Sequence, residues 1–297
     1  MFARILDCFL NLFSRGHNLE ELSRRLNVPV EELTSVQPEY REFDIEKRSG
    51  QPRRITAPSE DLKRLQRRIL RRLLKKLKTH PQATGFQQGV SFVENARCHE
   101  GQEVVIRFDL VNFFPSIDSK RIYQYFRKIG WKRVPAKLLT KLTTYQGALP
   151  QGAPTSPRLS NLVNYLFDVR LSRIAEYECA IYTRYADDLT FSLDADVDVQ
   201  DLIGKVLAAI RKAGYHPHLT KKFSVRRQHN RQIVTGLVVN ESANLSREKR
   251  RWLRAVEHRT KLQSQGGYFG PKPTITEEQL QGWRSLQKMI EDSKAKT

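Results

Sequence analysis

Ile181-Tyr182-Thr183-Arg184-Tyr185-Ala186-Asp187-Asp188-Leu189-Thr190-Phe191-Ser192-Leu193 decides the reading of this chain. Both ends of the stretch are β-branched and aromatic, so they read as two strands joined by a tight turn that carries two acids. Adjacent carboxylates at a hairpin tip repel each other, and a divalent cation is the usual compensation. Alone, an Asp-Asp turn is more often a solvated tip than a metal site.

A further carboxylate changes that balance. In Val104-Val105-Ile106-Arg107-Phe108-Asp109-Leu110-Val111-Asn112-Phe113-Phe114, a buried-strand pattern ends in Asp109. Mg²⁺ takes few protein ligands and keeps positions for water and substrate phosphates. Two such ions about 4 Å apart can activate an attacking hydroxyl and stabilise a leaving pyrophosphate. Asp109 at a strand end and Asp187-Asp188 on a neighbouring hairpin suit that chemistry. Between them lies Leu149-Pro150-Gln151-Gly152-Ala153-Pro154-Thr155-Ser156-Pro157.

These three strings, in this order, resemble reverse transcriptases. The resemblance implies an α+β, right-hand polymerase fold: fingers, a palm built on an antiparallel sheet, and a small helical thumb. It makes Asp109, Asp187 and Asp188 catalytic, with Asp109 and Asp187 bridging two Mg²⁺ ions and Asp188 supporting. Phe114 matches the aromatic under the sugar that excludes a 2′-hydroxyl, although it also reads as a core Phe beside Phe113. Gln151 and Gly152 match the segment against the incoming nucleotide, where glycine lets backbone approach a ligand. Arg53 and Arg54 match the fingers position that grips the triphosphate, and a guanidinium fork suits two phosphate oxygens. The sequence leaves open which of the two does so. Lys222 matches a lysine proposed to protonate pyrophosphate. Leu219 stands where Asn is common and Phe223 where Thr is common, which puts Lys222 and Lys221 in doubt.

Asn95-Ala96-Arg97-Cys98-His99 fits an NAxxH signature and Val234-Thr235-Gly236 a VTG signature. Together they look like retron reverse transcriptases, over roughly residues 19 to 260. Each also has a plain reading, His99 as a core histidine and Gly236 as a strand bulge. The family implies a cognate structured non-coding RNA as template and primer, and priming from a guanosine 2′-hydroxyl. It also implies deoxynucleoside triphosphates as substrates, an RNA–DNA hybrid, and a branched RNA–DNA product (msDNA). The setting implied is anti-phage defence with a separately encoded effector protein. The competing readings are a group II intron or diversity-generating enzyme, and a non-catalytic RNA-binding protein on the same scaffold. The short stretch after residue 246 argues against a maturase segment, and the intact acids argue against a silent scaffold.

Bulk composition agrees with a polyanionic partner. The 297 residues carry a formal charge of +20 with 39% hydrophobic residues, enough apolar material for a core. The clearest helix follows Pro58-Ser59, which read as its cap, with Glu60 and Asp61 in the first turn. Leu62, Leu65, Ile69, Leu73 and Leu77 make one face, widened by Leu70 and Leu74. Lys63, Arg64, Arg67, Arg68, Arg71, Arg72, Lys75 and Lys76 make the other, without an interleaved acid. Mutual repulsion among them points to RNA phosphates, so Arg67, Arg68, Arg71 and Arg72 join Asn95, His99, Val234, Thr235 and Gly236 as expected RNA-recognition residues.

Further elements are expected as a hairpin over 40–55 turning at Ser49-Gly50, helices over 119–130 and 135–146, and one long helix over 156–178. That last helix is expected to turn Leu159, Leu162, Val163, Leu166 and Ile174 inward. A helix over 198–213, strands over 216–240, and a helical basic tail from 246 follow. Residues 1–40 are expected as an N-terminal helical segment, 41–240 as fingers and palm, and 241–297 as thumb. Residues 2–13 read as a short amphipathic helix, not a signal peptide or membrane span. Cys8, Cys98 and Cys179 form no CxxC pair and read as packed, reduced thiols in a cytoplasmic protein.

Overall fold

The computed structural model describes residues 16–46, 52–195, 197–219, 223–264 and 275–294. The expected N-terminal helix, the Ser49-Gly50 turn, Cys8, Lys221 and Lys222 lie outside them. In chain order the elements are α1 (Leu19–Leu26), α2 (Val30–Ser35), β1 (Tyr40–Glu46), β2 (Pro52–Pro58) and α3 (Glu60–Ile69), which runs into a π-helical turn, Leu70–Leu74. Then come α4 (Phe92–Arg97), β3 (Val104–Asp109), α5 (Ser119–Lys128), α6 (Arg133–Thr143), α7 (Ser156–Val163) and α8 (Tyr165–Tyr177). They are followed by β4 (Ile181–Tyr185), β5 (Asp188–Leu193), α9 (Gln200–Lys212), β6 (Ser224–Arg227), β7 (Ile233–Val234), β8 (Leu237–Val238), α10 (Arg247–Ser264) and α11 (Glu277–Lys294).

An antiparallel sheet of order β4-β5-β3-β6 organises the rest. Strand alternation sorts its residues onto two faces. Val104, Ile106 and Phe108 join Tyr182, Leu189, Phe191 and Leu193 in the main core, with apolar residues of α1 to α3 and α5 to α9. Val105, one step out of phase, enters a second core with Val93 and Ala96 of α4, Val234, Leu237, and Leu253, Val256, Leu280 and Ile290 of the two last helices. Each apolar β3 residue thus serves one of two cores, and the sheet ties them together.

The basic helix departs from the sequence expectation in several ways. Ser59 occupies the N-cap without a side-chain cap bond. The helix loosens into i→i−5 bonding, with Lys75 N donating to Leu70 O at 2.8 Å. Its last carbonyls, of Leu74, Lys75 and Leu77, accept from the Arg158 guanidinium of α7. The cationic face is also less uniform than expected. Lys63 and Arg64 pair with Glu60 and Asp61 one turn earlier. Arg68 and Arg72 donate to the carbonyls of Asn27 and Arg25 at the end of α1, fixing α1 to the basic helix. Arg67, Arg71, Lys75 and Lys76 stay exposed. Gln66 is buried on the apolar face, donating to Tyr40 Oη and Leu142 O.

The long helix expected over 156–178 is broken at Asn164, because that buried amide serves a polar network. Asn164 Oδ1 accepts from Arg121 and from the Tyr215 hydroxyl, each at 2.8 Å. Past the break Leu166 points outward, 64% exposed, against the expectation. Cys98 and Cys179 are free but exposed, not packed. No helix among the described residues is long and apolar enough to cross a membrane.

Among the described residues one ion pair is wholly buried. Arg184 of β4 meets Asp168 of α8 through two bonds of 2.7 Å. Its remaining nitrogen reaches Asn161 Oδ1 and Ala186 O, and the Tyr182 hydroxyl donates to Asp168. Removing one member of such a pair strands the other charge in a dry interior, which costs about 3–5 kcal/mol. Asp168→Ala is therefore expected to lose that much stability in urea unfolding. A loss under about 1 kcal/mol would mean the pair anchors little.

Candidate active site

The acidic turn is built by pairing. Tyr185 pairs with Asp188, so Ala186-Asp187 is a two-residue loop, with Ala186 held at φ +58°. A non-glycine residue there is strained and persists only when its surroundings over-determine it. Here they do. Ala186 O accepts from Arg184, and residues 82–85 run beside β4, with Arg184 N donating to Gln82 O and Thr84 N donating to Arg184 O. Gly85 packs so closely that a Cβ would stand 2.6 Å from Ala186 N.

The same pairing brings the carboxylates together. Asp109 ends β3 directly opposite Asp188, the first residue of β5, so both share one face of the sheet. Leu110 N donates to the Asp187 carbonyl at 3.0 Å, docking the turn on the end of β3. Asp109 is 5% exposed. Asp188 is half-buried and accepts from Arg107 Nη2 at 3.0 Å. Among the described residues no three His, Cys, Asp or Glu side chains form a ready-made metal cage. Carboxylates that leave room for water and phosphate oxygens are the donor set Mg²⁺ takes in phosphoryl-transfer sites, so these acids fit such an ion.

The aromatic pair separates cleanly. Phe113 is buried against Tyr215, with the Arg184 guanidinium over its ring. Phe114 is half-buried, 6.0 Å from exposed Phe86, which in turn lies 6.5 Å from Tyr185. Gly152, at φ +141°, approaches protein backbone: a Cβ there would stand 2.8 Å from Thr56 O and 3.1 Å from Ile55 Cγ2. Thr56 N also donates to Gln151 O at 2.8 Å. The Gln151-Gly152 loop is thus stitched to β2. Ile55 turns toward that loop, and Arg53, two residues away, shares its face. Arg54 lies on the opposite face, paired with Glu42.

The NAxxH and VTG strings meet around α4. Asn95 and His99 are buried, so neither side chain is presented to an RNA. His99 Nδ1 lies 2.7 Å from Ser192 Oγ and Nε2 lies 2.8 Å from Thr183 Oγ1, bridging both strands of the acidic hairpin. Asn95 Oδ1 accepts from the Thr84 hydroxyl, which also lies 3.1 Å from Arg184 O. Val234 is buried. Thr235 and Gly236, at φ +46° and +88°, form the two-residue β7–β8 turn. The Thr235 hydroxyl donates to Phe92 O at the start of α4. Through His99 they buttress the hairpin on the sheet face that Thr183 and Ser192 share with Asp188. Sequence reasoning missed Arg184, Asp168, Asn161 and Thr84, for which no motif spacing exists.

Residues 45–249 match the family described as reverse transcriptase (RNA-dependent DNA polymerase). Over 91% of this chain and 83% of its own length, retron Ec86 reverse transcriptase of Escherichia coli is 33% identical. The chain belongs to the retron-type reverse transcriptases. Retron Mx162 reverse transcriptase of Myxococcus xanthus is 33% identical over 93% of the chain, which spans 64% of that protein. Retron Mx65 reverse transcriptase of the same organism is 39% identical over 74% of the chain and 55% of its own length. The fold is shared with telomerase from Candida albicans, solved with a TWJ fragment of telomeric RNA. That match has TM-score 0.51 at 10% identity, over 80% of this chain and 52% of that one. This retron-type reverse transcriptase is thus an RNA-directed DNA polymerase with an α+β polymerase fold, of a family that uses divalent metals.

Burial pushes the His99 imidazole down to about 3 from 6.5, so it is neutral in the folded protein. An unfolded histidine takes up a proton near pH 6.5, so stability from this group is complete above that pH and is lost as pH falls toward 3. The expected slope is about 1.4 kcal/mol per pH unit across that window. His99→Gln should flatten it in urea unfolding at successive pH values. An unchanged slope would remove His99 as its source.

Proposed function

We propose that this reverse transcriptase copies part of a cognate structured non-coding RNA, starting from a guanosine 2′-hydroxyl of that RNA and giving branched RNA–DNA (msDNA). The observation that carries the catalytic part is the register of Asp109 against Asp188 beside Asp187. The retron-specific part is supported by the NAxxH and VTG strings converging on α4, and by the retron relatives. The setting we propose is cytoplasmic anti-phage defence with a separately encoded effector. Residues 1–40 serve as the N-terminal segment, 41–240 as fingers and palm, and 241–297 as thumb.

The hydroxyl oxygen attacks the α-phosphorus of a deoxynucleoside triphosphate, and the bond to pyrophosphate breaks. Two Mg²⁺ ions held by Asp109 and Asp187 would neutralise charge on the attacking and leaving oxygens. Asp188, paired with Arg107, supports that set. Phe114, at the accessible edge of the aromatic cluster, lies beneath the sugar and excludes a 2′-hydroxyl. Gln151 and Gly152 join the nucleotide site to β2, and Arg53 rather than Arg54 grips the triphosphate, because it shares the face of Ile55. Lys222 donates a proton to the leaving pyrophosphate. Arg67 and Arg71, with Lys75 and Lys76, present the open cationic surface to RNA. Arg68 and Arg72 contribute charge while holding α1. Asn95, His99, Val234, Thr235 and Gly236 act on RNA use through the hairpin they support.

Asp187→Asn should lower Mg²⁺-dependent extension of a primed RNA template by at least about 10²-fold while RNA binding persists. Near-parental extension would sink the metal assignment. Arg53→Ala should raise KM for deoxynucleotides roughly tenfold, as loss of one hydrogen bond to a charged group does. Arg54→Ala should change it little. The reverse order would put Arg54 on the triphosphate.

A further inference from the structure

On the sheet face that carries Asp109 and Asp188, a cleft of about 370 Å³ is lined by Arg107, Ser224, Arg226, Asn230 and Arg231. Register explains it. Ser224 stands opposite Arg107, and Arg226 opposite Val105, so edge strand β6 extends this face beside β3. The loop from β6 to β7 then brings Asn230 and Arg231 across the open side. Arg107 is two residues before Asp109, hence roughly 7 Å along the same strand face.

Three guanidiniums around one small cleft repel one another, and the protein supplies little to offset them. Arg107 uses Nη2 on Asp188, while its buried Nε has no acceptor among the described residues. Arg231 reaches Glu248 only at 3.6 Å, with both side chains largely exposed, a geometry of little worth in water. Arg226 is exposed, and no ion pair to it is found among the described residues. Planar guanidinium forks with a hydroxyl and an amide beside them suit a phosphate oxygen pair. In a polymerase the phosphates next to the acids, apart from those of the triphosphate, belong to the strand that supplies the attacking hydroxyl.

We propose that the Arg107–Arg226–Arg231 cleft binds a phosphodiester of the primer strand within about one nucleotide of the attacking hydroxyl. Arg107 then touches both that phosphate and Asp188, so seating the primer and placing the carboxylate share one side chain. Two links have this chemistry. One lies 5′ to the priming nucleotide and exists in every primer. The other lies 3′ to it and exists only where the strand continues past a 2′-hydroxyl start, so that arm rests on the proposed priming.

The test uses the full chain with Arg226→Gln, Arg231→Gln and the double variant, all at exposed positions. The substrates are an RNA template with a 3′-hydroxyl DNA primer, and an RNA that primes from an internal 2′-hydroxyl. In each, single links near the start are replaced by neutral methylphosphonates. The double variant should raise KM for the primed template about tenfold and leave KM for deoxynucleotides unchanged. It should also lower the log–log salt slope of binding by roughly 0.7–0.9 for each phosphate no longer neutralised. Arg226→Lys, which keeps the charge, should recover part of the loss. At the link seated in the cleft the methylphosphonate should weaken the parent and leave the double variant unaffected. Such a link 5′ to the start on both substrates assigns the general primer phosphate; one 3′ to the start on the 2′-hydroxyl substrate assigns the branch phosphate. Equal methylphosphonate penalties in parent and variant at every link, or an unchanged KM for primed template, would overturn the proposal. So would an equal rise in KM for deoxynucleotides. Should the parent fail to start from the 2′-hydroxyl, the priming reading falls, while the 3′-hydroxyl arm still decides the cleft.

Discussion

Arg184 holds a full charge where no water reaches it, and the acidic hairpin depends on how that charge is satisfied. Asp168 neutralises it through two bonds, Asn161 takes a third, and the Ala186 carbonyl takes a fourth. A residue with positive φ at a turn is costly unless its neighbours leave no alternative. The guanidinium supplies that constraint from inside the protein, two residues from the loop it holds. Asp187 and Asp188 can then be presented together although their like charges disfavour it.

The hairpin is held from its other face by a second device. His99 bridges Thr183 and Ser192, one hydroxyl from each strand, and Asn95 reaches Arg184 through Thr84. Thr235 ties the β7–β8 turn to the same helix, so two short strings far apart in the chain support one structure. A buried polar network of this kind specifies geometry because each unmet partner would cost a desolvation penalty. Strand β2 and the basic helix are joined separately, through Thr56 and Gln151 and through Arg158 at the end of that helix.

Much of the site was legible in the chain alone. Strand alternation over 104–109 and 181–193, the turn at Ala186-Asp187 and the ordered motifs located the three acids, because the period of a strand and the chemistry of a tight turn are local properties. The apolar face of the basic helix was legible for the same reason. The helix break at Asn164 was not, since its cause is an amide shared with Arg121 and Tyr215, far away in the chain. Nor were the tasks of Arg68 and Arg72, which look like their exposed neighbours until α1 packs beside them.

What this sequence determined by itself is the list of chemical groups and their strand and helix phases: three acids, two candidate arginines, two adjacent phenylalanines, one cationic face. Only the tertiary structure decided where each member of a set sits. It set Asp109 opposite Asp188, put Phe113 in the core and Phe114 at its edge, and laid Ile55, whose strand face Arg53 shares, against the Gln151-Gly152 loop while pairing Arg54 with Glu42. The physical reason is range. Periodicity and turn chemistry act over a few residues, whereas burial, charge pairing and hydrogen-bond satisfaction are settled by groups the chain brings together from tens of residues apart.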